Sequence, residues 1–200
     1  MELANIQAKH EGVAERVKFV AADLFETDLR GANVVTLYLL PRFVARLVPK
    51  LRAELAPGSR IVSHDYPLAP WPPDKTLIFE VPEKENITGS VRTTLYYYLV
   101  PARVGGRWQL DLPKPLADTP LEAHFLQGPD SLEGRVETAG RTYTLRDVAV
   151  RAEAIRFGLF YDGRLMQFSG TVGGGTMSGE VRAGPTRERW SARLIDREGH

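Results

Sequence analysis

The sequence predicts an α/β unit followed by an all-β unit that forms an antiparallel β-barrel or sandwich. In the first part of the chain, apolar runs typical of buried strands alternate with segments of helical period. After residue 76, short β-branched and aromatic segments follow one another, separated by turn signals such as Asp162-Gly163. The predicted division is 1–75 for the α/β unit, 76–106 for strands that complete its sheet, and 107–200 for the β unit.

The α/β unit is predicted to alternate helices with strands. Its first helix ends near Glu11-Gly12, where glycine suits a left-handed C-cap. The further predicted elements are a strand over 17–22, a strand over 33–40, a helix over 42–55 and a strand over 60–65. Pro49 lies inside the second helix, and we expect a kink or a break there. Near-continuous apolar strands joined by helices imply a parallel sheet covered on both faces.

The later part of the chain is predicted to consist of strands in an antiparallel meander. Two of these strands, 76–81 and 91–100, complete the first sheet. The strands of the β unit are predicted over 107–112, 121–126, 131–138, 141–145, 154–160, 165–172, 176–182 and 190–195.

The composition excludes several classes of function. A hydrophobic content of 43% with 26% charged residues is typical of a globular protein with a core, and a net charge of +1 argues against nucleic acid as a partner. Cysteine is absent, which excludes disulfides and thiolate metal sites. No apolar run reaches the roughly 18 residues that a membrane span needs. The four histidines show no spacing suited to a metal, so we expect no metal site.

Three segments carry a resemblance to a known family. They are Gly12-Val13-Ala14-Glu15-Arg16-Val17 with Asp23-Leu24-Phe25, the run Val34-Val35-Thr36-Leu37-Tyr38-Leu39-Leu40-Pro41, and Arg60-Ile61-Val62-Ser63-His64-Asp65. Together they resemble the later half of a class I S-adenosylmethionine-dependent methyltransferase, of a bacterial type with a C-terminal β-rich domain. The fold that this resemblance implies for the first unit is a partial Rossmann-like sheet.

The resemblance also implies a cofactor site at the strand ends. S-adenosyl-L-methionine is the implied cofactor, with the Asp23 carboxylate bonded to the adenine amino group and Leu24 and Phe25 near the purine. Thr36, Leu37 and Tyr38 would pass beneath the methionine moiety and the transferred methyl. His64 and Asp65 are candidates for the substrate side. This site requires that two neighbouring parallel strands, one bearing Asp23 and one bearing Tyr38, open onto a shared nucleoside pocket.

Each candidate residue also has a structural interpretation. Asp23 is also consistent with a solvated turn or a helix cap, Tyr38 with a core aromatic, and the His64-Asp65 pair with a structural strand end. The residues by themselves leave both interpretations open, and no general base can be identified from them. Because the sulfonium of the cofactor activates the methyl group, such a protein supplies mainly alignment and electrostatics.

The chain departs from the family pattern at its start. The glycine-rich cofactor turn and the acidic residue that binds the ribose would fall before Met1. We therefore expect an N-terminally truncated form, inactive as it stands, that binds S-adenosylmethionine weakly or not at all. The predicted function is methyl transfer to an unknown acceptor, with protein or a small molecule favoured. The alternative is a non-catalytic β-domain binding module with a degenerate α/β remnant. Cytoplasm is the default location because the cofactor is made there, and a secretory leader upstream stays open.

Overall fold

The computed structural model describes residues 1–114 and 116–197. It has the predicted composition, a small α/β unit followed by an all-β unit. His200, one of the four histidines considered above, lies outside the described residues. In the described part of the chain, no helix is both long enough and apolar enough to cross a bilayer.

The α/β unit is built on a four-stranded mixed sheet. Its elements are α1 (Glu2–His10), β1 (Val34–Leu37), α2 (Pro41–Glu54), β2 (Arg60–His64), β3 (Lys75–Glu80), α3 (Glu85–Thr88) and β4 (Arg92–Leu99). The strand order is β1-β2-β4-β3. Strands β1 and β2 pair in parallel, whereas β4 runs antiparallel to both of its neighbours. The parallel part of the sheet is therefore a single strand pair.

Helix α2 covers one face of this sheet. Its buried side chains, Val44, Leu47, Val48 and Leu51, lie at helical spacing and pack against sheet residues such as Ile61. The break expected at Pro49 does not occur, because the helix continues through Pro49 to Glu54. Buried residues on both sides of this proline hold the two halves against the same sheet, and this packing outweighs the lost hydrogen bond.

The strand predicted over 17–22 is wrong. These residues are exposed and carry no regular secondary structure. Their β-branched and aromatic pattern is typical of a strand, but a strand also needs a neighbour that accepts its backbone hydrogen bonds. In the described residues, β1 has β2 as its one strand neighbour, and no strand pairs with 17–22.

The expectation that both sheet faces are covered is also wrong. The face opposite α2 carries Val34, Tyr38, Leu77 and Phe79, and all four side chains are exposed. We call these four residues the open face. Leu77 is 59% exposed and is paired with Leu95 of β4.

The β unit is a nearly closed antiparallel barrel of nine strands. They are β5 (Gly106–Asp111), β6 (Leu121–Gln127), β7 (Leu132–Thr138), β8 (Arg141–Thr144), β9 (Arg146–Arg151), β10 (Ala154–Tyr161), β11 (Arg164–Gly173), β12 (Thr176–Ala183) and β13 (Thr186–Asp196). Their spatial order is β8-β7-β6-β5-β13-β12-β11-β10-β9. The two end strands, β8 and β9, follow each other along the chain, which brings the open ends of the sheet together.

Aromatic side chains fill the barrel. Phe157 and Phe168 stack with ring centroids 4.4 Å apart, and Trp190 meets both rings edge-on. Trp108 is fully buried, and its indole nitrogen donates to the Val104 carbonyl over 2.8 Å. Because a buried indole N–H needs an acceptor, this bond fixes the ring within the core.

Polar contacts join the barrel to the α/β unit. The Arg52 guanidinium donates to the carbonyls of Gly128 and Pro129, and it lies 5.3 Å from the ring centroid of Trp71. Burial lowers the pKa of Arg52, since the charged form loses water there. The Arg151 guanidinium lies 3.5 Å from the Asp74 carboxylate.

Candidate functional site

The carboxyl ends of β1 and β2 bring two candidate residues side by side. Leu37 is paired with Ser63 in the parallel register, so Tyr38 and His64 leave the sheet together. Their ring centroids lie 4.8 Å apart, with the planes tilted by 57°. Tyr38 is 76% exposed, which excludes its interpretation as a core aromatic. Its ring contacts His64 and is otherwise largely exposed to solvent.

Asp65 is held in a strained turn immediately after β2. Its φ of 60° lies in the left-handed region, which residues other than glycine adopt at a cost. The Asp65 amide donates to the Thr94 carbonyl over 2.7 Å, and the Thr94 amide donates to Asp65 Oδ1 over 2.9 Å. This reciprocal pair ties the turn to β4 and offsets the backbone strain.

Lys84 completes the cluster from a short 3-10 helix, Pro82–Lys84, that follows β3. Its ammonium donates to Asp65 Oδ2, to the Arg92 carbonyl over 2.7 Å and to Thr93 Oγ1 over 3.3 Å. We call Tyr38, His64, Asp65 and Lys84 the carboxyl-edge cluster. Sequence reasoning missed Lys84, because its position depends on how the segment after β3 folds back, and no local pattern reports that.

Charge within the cluster favours an ionised Asp65. Burial opposes the ionisation of this carboxyl, but hydrogen bonds from Lys84 and the Thr94 amide outweigh it, so the pKa of Asp65 lies below its ordinary value. His64 Nδ1 lies 3.4 Å from Asp65 Oδ2. The side chains of His64 and Asp65 are both 24% exposed. The cluster therefore presents a histidine whose inner nitrogen faces a carboxylate.

Asp23 lies in a turn of its own. Its Oδ1 accepts a hydrogen bond from the Phe25 amide over 2.7 Å, and its carbonyl accepts one from Thr27 Oγ1 over 2.8 Å. These bonds match the structural interpretation of Asp23 as a turn residue. They leave Oδ2 without a hydrogen bond in the described part of the chain.

Leu24 and Phe25 are partly buried against the core that α2 forms with the sheet. The Arg46 guanidinium lies 4.0 Å from the Phe25 ring centroid, and the Phe43 ring is 6.3 Å away. One side of the Phe25 ring is thus already occupied by α2 side chains. A purine would have to approach from the remaining side.

The premise that placed Asp23 and Tyr38 on neighbouring parallel strands is wrong. The parallel neighbour of β1 is β2, because residues 17–22 form no strand. Thr36 is exposed, whereas Leu37 is buried beneath α2. Of the predicted site residues, the structure brings together Tyr38, His64 and Asp65.

Two concavities lie away from this cluster. A cleft of about 690 Å³ separates Asn33 and the turn before β2 from the barrel turn at Arg151–Ala154. A smaller one of about 270 Å³ lies on the barrel beside Phe168 and Arg187. Among the residues that the structure describes, no group of three or more His, Asp or Glu side chains could hold a metal ion.

Curated proteins similar to this chain are lysine methyltransferases. A protein-lysine N-methyltransferase of Saccharolobus islandicus (strain REY15A) is 37% identical over 98 residues, which cover 49% of this chain and 55% of the relative. The adenine nucleotide translocase lysine N-methyltransferase of Mus musculus is 37% identical over 71 residues, covering 36% of this chain and 31% of the relative. The chain thus spans about half the length of the first relative and a third of the second.

A solved structure is also similar. It is an RNA methyltransferase from Salinibacter ruber in complex with S-adenosyl-L-homocysteine, 36% identical in sequence with a TM-score of 0.43. The similarity covers 58% of this chain and 64% of that one.

The family model and the curated relatives support a class I S-adenosylmethionine-dependent methyltransferase, the class that the sequence resemblance implied. More specifically, residues 1–75 match the family model of the ANTKMT methyltransferase domain. The class uses S-adenosyl-L-methionine as its methyl donor, which is the cofactor predicted from the sequence.

Proposed function

We propose that this chain takes part in S-adenosylmethionine-dependent methylation of lysine side chains in proteins. The observation that carries the proposal is the position of the carboxyl-edge cluster. Tyr38 and His64 lie side by side at the carboxyl end of the parallel strand pair, within the segment that matches the methyltransferase domain. Ligands of open α/β sheets bind outside the carboxyl ends of the strands. The lysine specificity named for the relatives supports the choice of acceptor.

The proposed cofactor residues offer chemistry that suits S-adenosylmethionine. Asp23 Oδ2 can accept a hydrogen bond from the adenine amino group, since it has no such bond in the described residues. Leu24 and Phe25 offer an apolar surface to the purine, and Thr36, Leu37 and Tyr38 lie along β1 and its end. When bound, the cofactor supplies a methyl group activated by its sulfonium.

Cofactor affinity is expected to be weak. Small-molecule sites usually bury most of the ligand surface, and Tyr38 with 76% exposure shows that this edge encloses little. We also propose the division of the chain into 1–75, 76–106 and 107–200. The carboxyl-edge cluster joins the first two of these parts, because Lys84 of the second contacts Asp65 of the first. His64 and Asp65 are assigned to the acceptor side.

The alternative is a non-catalytic module whose β unit holds an apolar ligand or a partner, and an apolar ligand inside the barrel has less support. The barrel interior is filled by buried side chains that include Trp108, Phe125, Phe157 and Phe168. A filled interior leaves the outer surface of the barrel for contacts with other molecules.

The proposal is tested by transfer of a labelled methyl group. The chain is incubated with tritiated-methyl S-adenosylmethionine and a lysine-rich protein, and mass spectrometry identifies the modified atom. In contrast to the inactive form expected from the sequence, the proposal predicts slow labelling of lysine Nζ by this chain. Tyr38→Ala should reduce that rate by roughly 10-fold to 100-fold, because the variant misplaces the reacting groups. Phe160→Ala is the matched control, because Phe160 is an exposed aromatic on the barrel. Equal rates for both variants, or label on another residue type, would contradict the proposal.

A further inference from the structure

We propose that His64 accepts the proton that the acceptor ammonium must lose, with Asp65 and Tyr38 as positioning residues. This inference rests on the proposed function and assigns a role within the same site. It is based on His64 Nε2, a basic nitrogen of the carboxyl-edge cluster that makes no hydrogen bond within the described residues.

The chemistry requires a proton acceptor because a lysine ammonium has no lone pair at neutral pH. Its ordinary pKa is about 10.4, so the neutral amine is scarce. In the proposed step an N–H bond of the ammonium breaks and its proton moves to His64 Nε2. The amine lone pair then forms the N–C bond as the S–CH₃ bond breaks, and that electron pair stays on sulfur. His64 finally releases the proton to solvent.

The two nitrogens of His64 have different surroundings. Nδ1 lies 3.4 Å from the Asp65 carboxylate, which orients the ring and favours a proton on that nitrogen. Nε2 has no hydrogen-bond partner within residues 1–114 and 116–197. The Tyr38 ring, with its centroid 4.8 Å away, limits rotation of the imidazole. The outer nitrogen is therefore free to receive a proton from a bound amine.

The other polar groups of the cluster are already committed. Asp65 Oδ1 accepts from the Thr94 amide, and Oδ2 accepts from the Lys84 ammonium. Lys84 donates to three acceptors and carries no lone pair in its charged form. The titratable and charged groups that face His64 are thus Tyr38, which directly follows β1, Asp65 in the turn after β2, and Lys84, which lies behind Asp65 in the segment after β3.

The other described histidines provide controls. His10 is exposed, with its Nδ1 3.6 Å from Glu11, far from the sheet edge in sequence. His124 on the barrel has its Nε2 2.9 Å from Glu122 and 4.0 Å from Glu137. Neither leaves a nitrogen free beside an exposed aromatic ring.

The first test is the tautomer of His64, which needs no turnover. The full chain is labelled with ¹⁵N-histidine and its neutral imidazoles are assigned by long-range ¹H–¹⁵N correlation. We expect the Nδ1–H form for His64 in the wild-type chain, and a shift toward the Nε2–H form in Asp65→Ala. His10 should be unchanged in that variant. A neutral His64 that carries its proton on Nε2 would overturn the proposal, because that nitrogen could not then accept one.

The second test is the pH profile of methyl transfer to a lysine-rich protein. We expect His64→Gln to reduce the rate at neutral pH by roughly 100-fold or more, the usual contribution of a general base. The loss should shrink as the pH rises toward the lysine pKa of about 10.4, where the acceptor deprotonates by itself. His10→Gln should match wild type throughout. A loss in His64→Gln that is equal at every pH would show a structural role and overturn the proposal.

The two tests separate this inference from the proposed function. Wild-type chain that transfers no methyl group contradicts the proposed function, while the tautomer measurement still decides the state of His64. Transfer that is unaffected by His64→Gln supports the proposed function and overturns the role of this histidine.

Discussion

The barrel and the α/β unit differ in how completely each is enclosed. The barrel closes nearly on itself and buries a continuous aromatic and aliphatic core. The α/β sheet has α2 on one face and exposed apolar side chains on the other, and its end strands β1 and β3 have free edges in the described residues. The carboxyl-edge cluster lies in the less enclosed of these two regions.

This difference shows how stability and chemistry are distributed in the chain. Barrel strands form their backbone hydrogen bonds with strands that are adjacent in sequence, apart from the long-range pairing of β13 with β5. The carboxyl-edge cluster instead joins four separate parts of the chain through side-chain contacts. They are the end of β1, the turn after β2, strand β4, and the segment that follows β3. Substitutions in the two regions should therefore affect different observables.

The largest effect is expected in the barrel core. Trp108→Ala removes a fully buried indole and its bond to Val104, so the free energy of unfolding should fall by about 3–5 kcal/mol. Urea denaturation followed by near-UV circular dichroism measures it. Phe160→Ala, at an exposed barrel position, should change it by less than about 0.5 kcal/mol. A small effect of Trp108→Ala would contradict the expectation that the barrel core makes the largest contribution to the free energy of unfolding.

A smaller effect is expected in the core of the α/β unit. The hydroxyl of the buried Tyr98 accepts a hydrogen bond from the Leu68 amide over 2.7 Å. Tyr98→Phe leaves that buried amide unsatisfied and should cost about 1–3 kcal/mol. Thermal unfolding compares it with Tyr97→Phe, because the neighbouring Tyr97 hydroxyl makes no hydrogen bond within the described chain. Equal effects of the two variants would contradict this account of the core.

A pH-dependent effect is expected at Asp65. Because its pKa is lowered on folding, ionised Asp65 stabilises the folded state at pH above its ordinary pKa of 3.8. That contribution is lost as the pH falls through the lower folded pKa. Asp65→Asn should therefore be less stable than wild type by about 1 kcal/mol near neutral pH, and the gap should close in acid. Denaturation at several pH values measures this gap, with the exposed Asp118→Asn as control. A gap that widens in acid would contradict the sign.

The smallest effect is expected on the open face. Leu77 is 59% exposed on a strand with a free edge, so Leu77→Asp should change the free energy of unfolding by less than about 0.5 kcal/mol. The same substitution at the buried Leu110 of the barrel should prevent folding, since an unpaired carboxylate would enter the core. A large loss in Leu77→Asp would show that this face is covered in solution.

Local patterns predicted the barrel better than the site. The strand predicted over 176–182 is observed as Thr176–Ala183, because alternation and flanking turns are properties of neighbouring residues. The alternation within 146–151 was not recognised, and β9 was missed as a result. Residues 17–22 show the reverse error, since a strand pattern there finds no partner strand.

The candidate site could be predicted only in part for the same reason. His64 and Asp65 could be predicted as candidates because His64 ends an apolar strand and Asp65 follows it directly. The approach of Lys84, and the contact between Tyr38 and His64, arise from the register of β1 against β2 and from the return of the chain after β3. A single sequence carries no direct signal for either arrangement.

The central claim is that the carboxyl edge of β1 and β2 is where this chain meets the cofactor. A titration of the ¹⁵N-labelled chain with S-adenosyl-L-homocysteine, followed by amide chemical shifts, tests it directly and detects weak binding. The account predicts saturable shifts concentrated at Thr36–Tyr38 and His64–Asp65, with the barrel amides unchanged. Shifts confined to the barrel, or no shifts at the highest ligand concentration that can be reached, would contradict it.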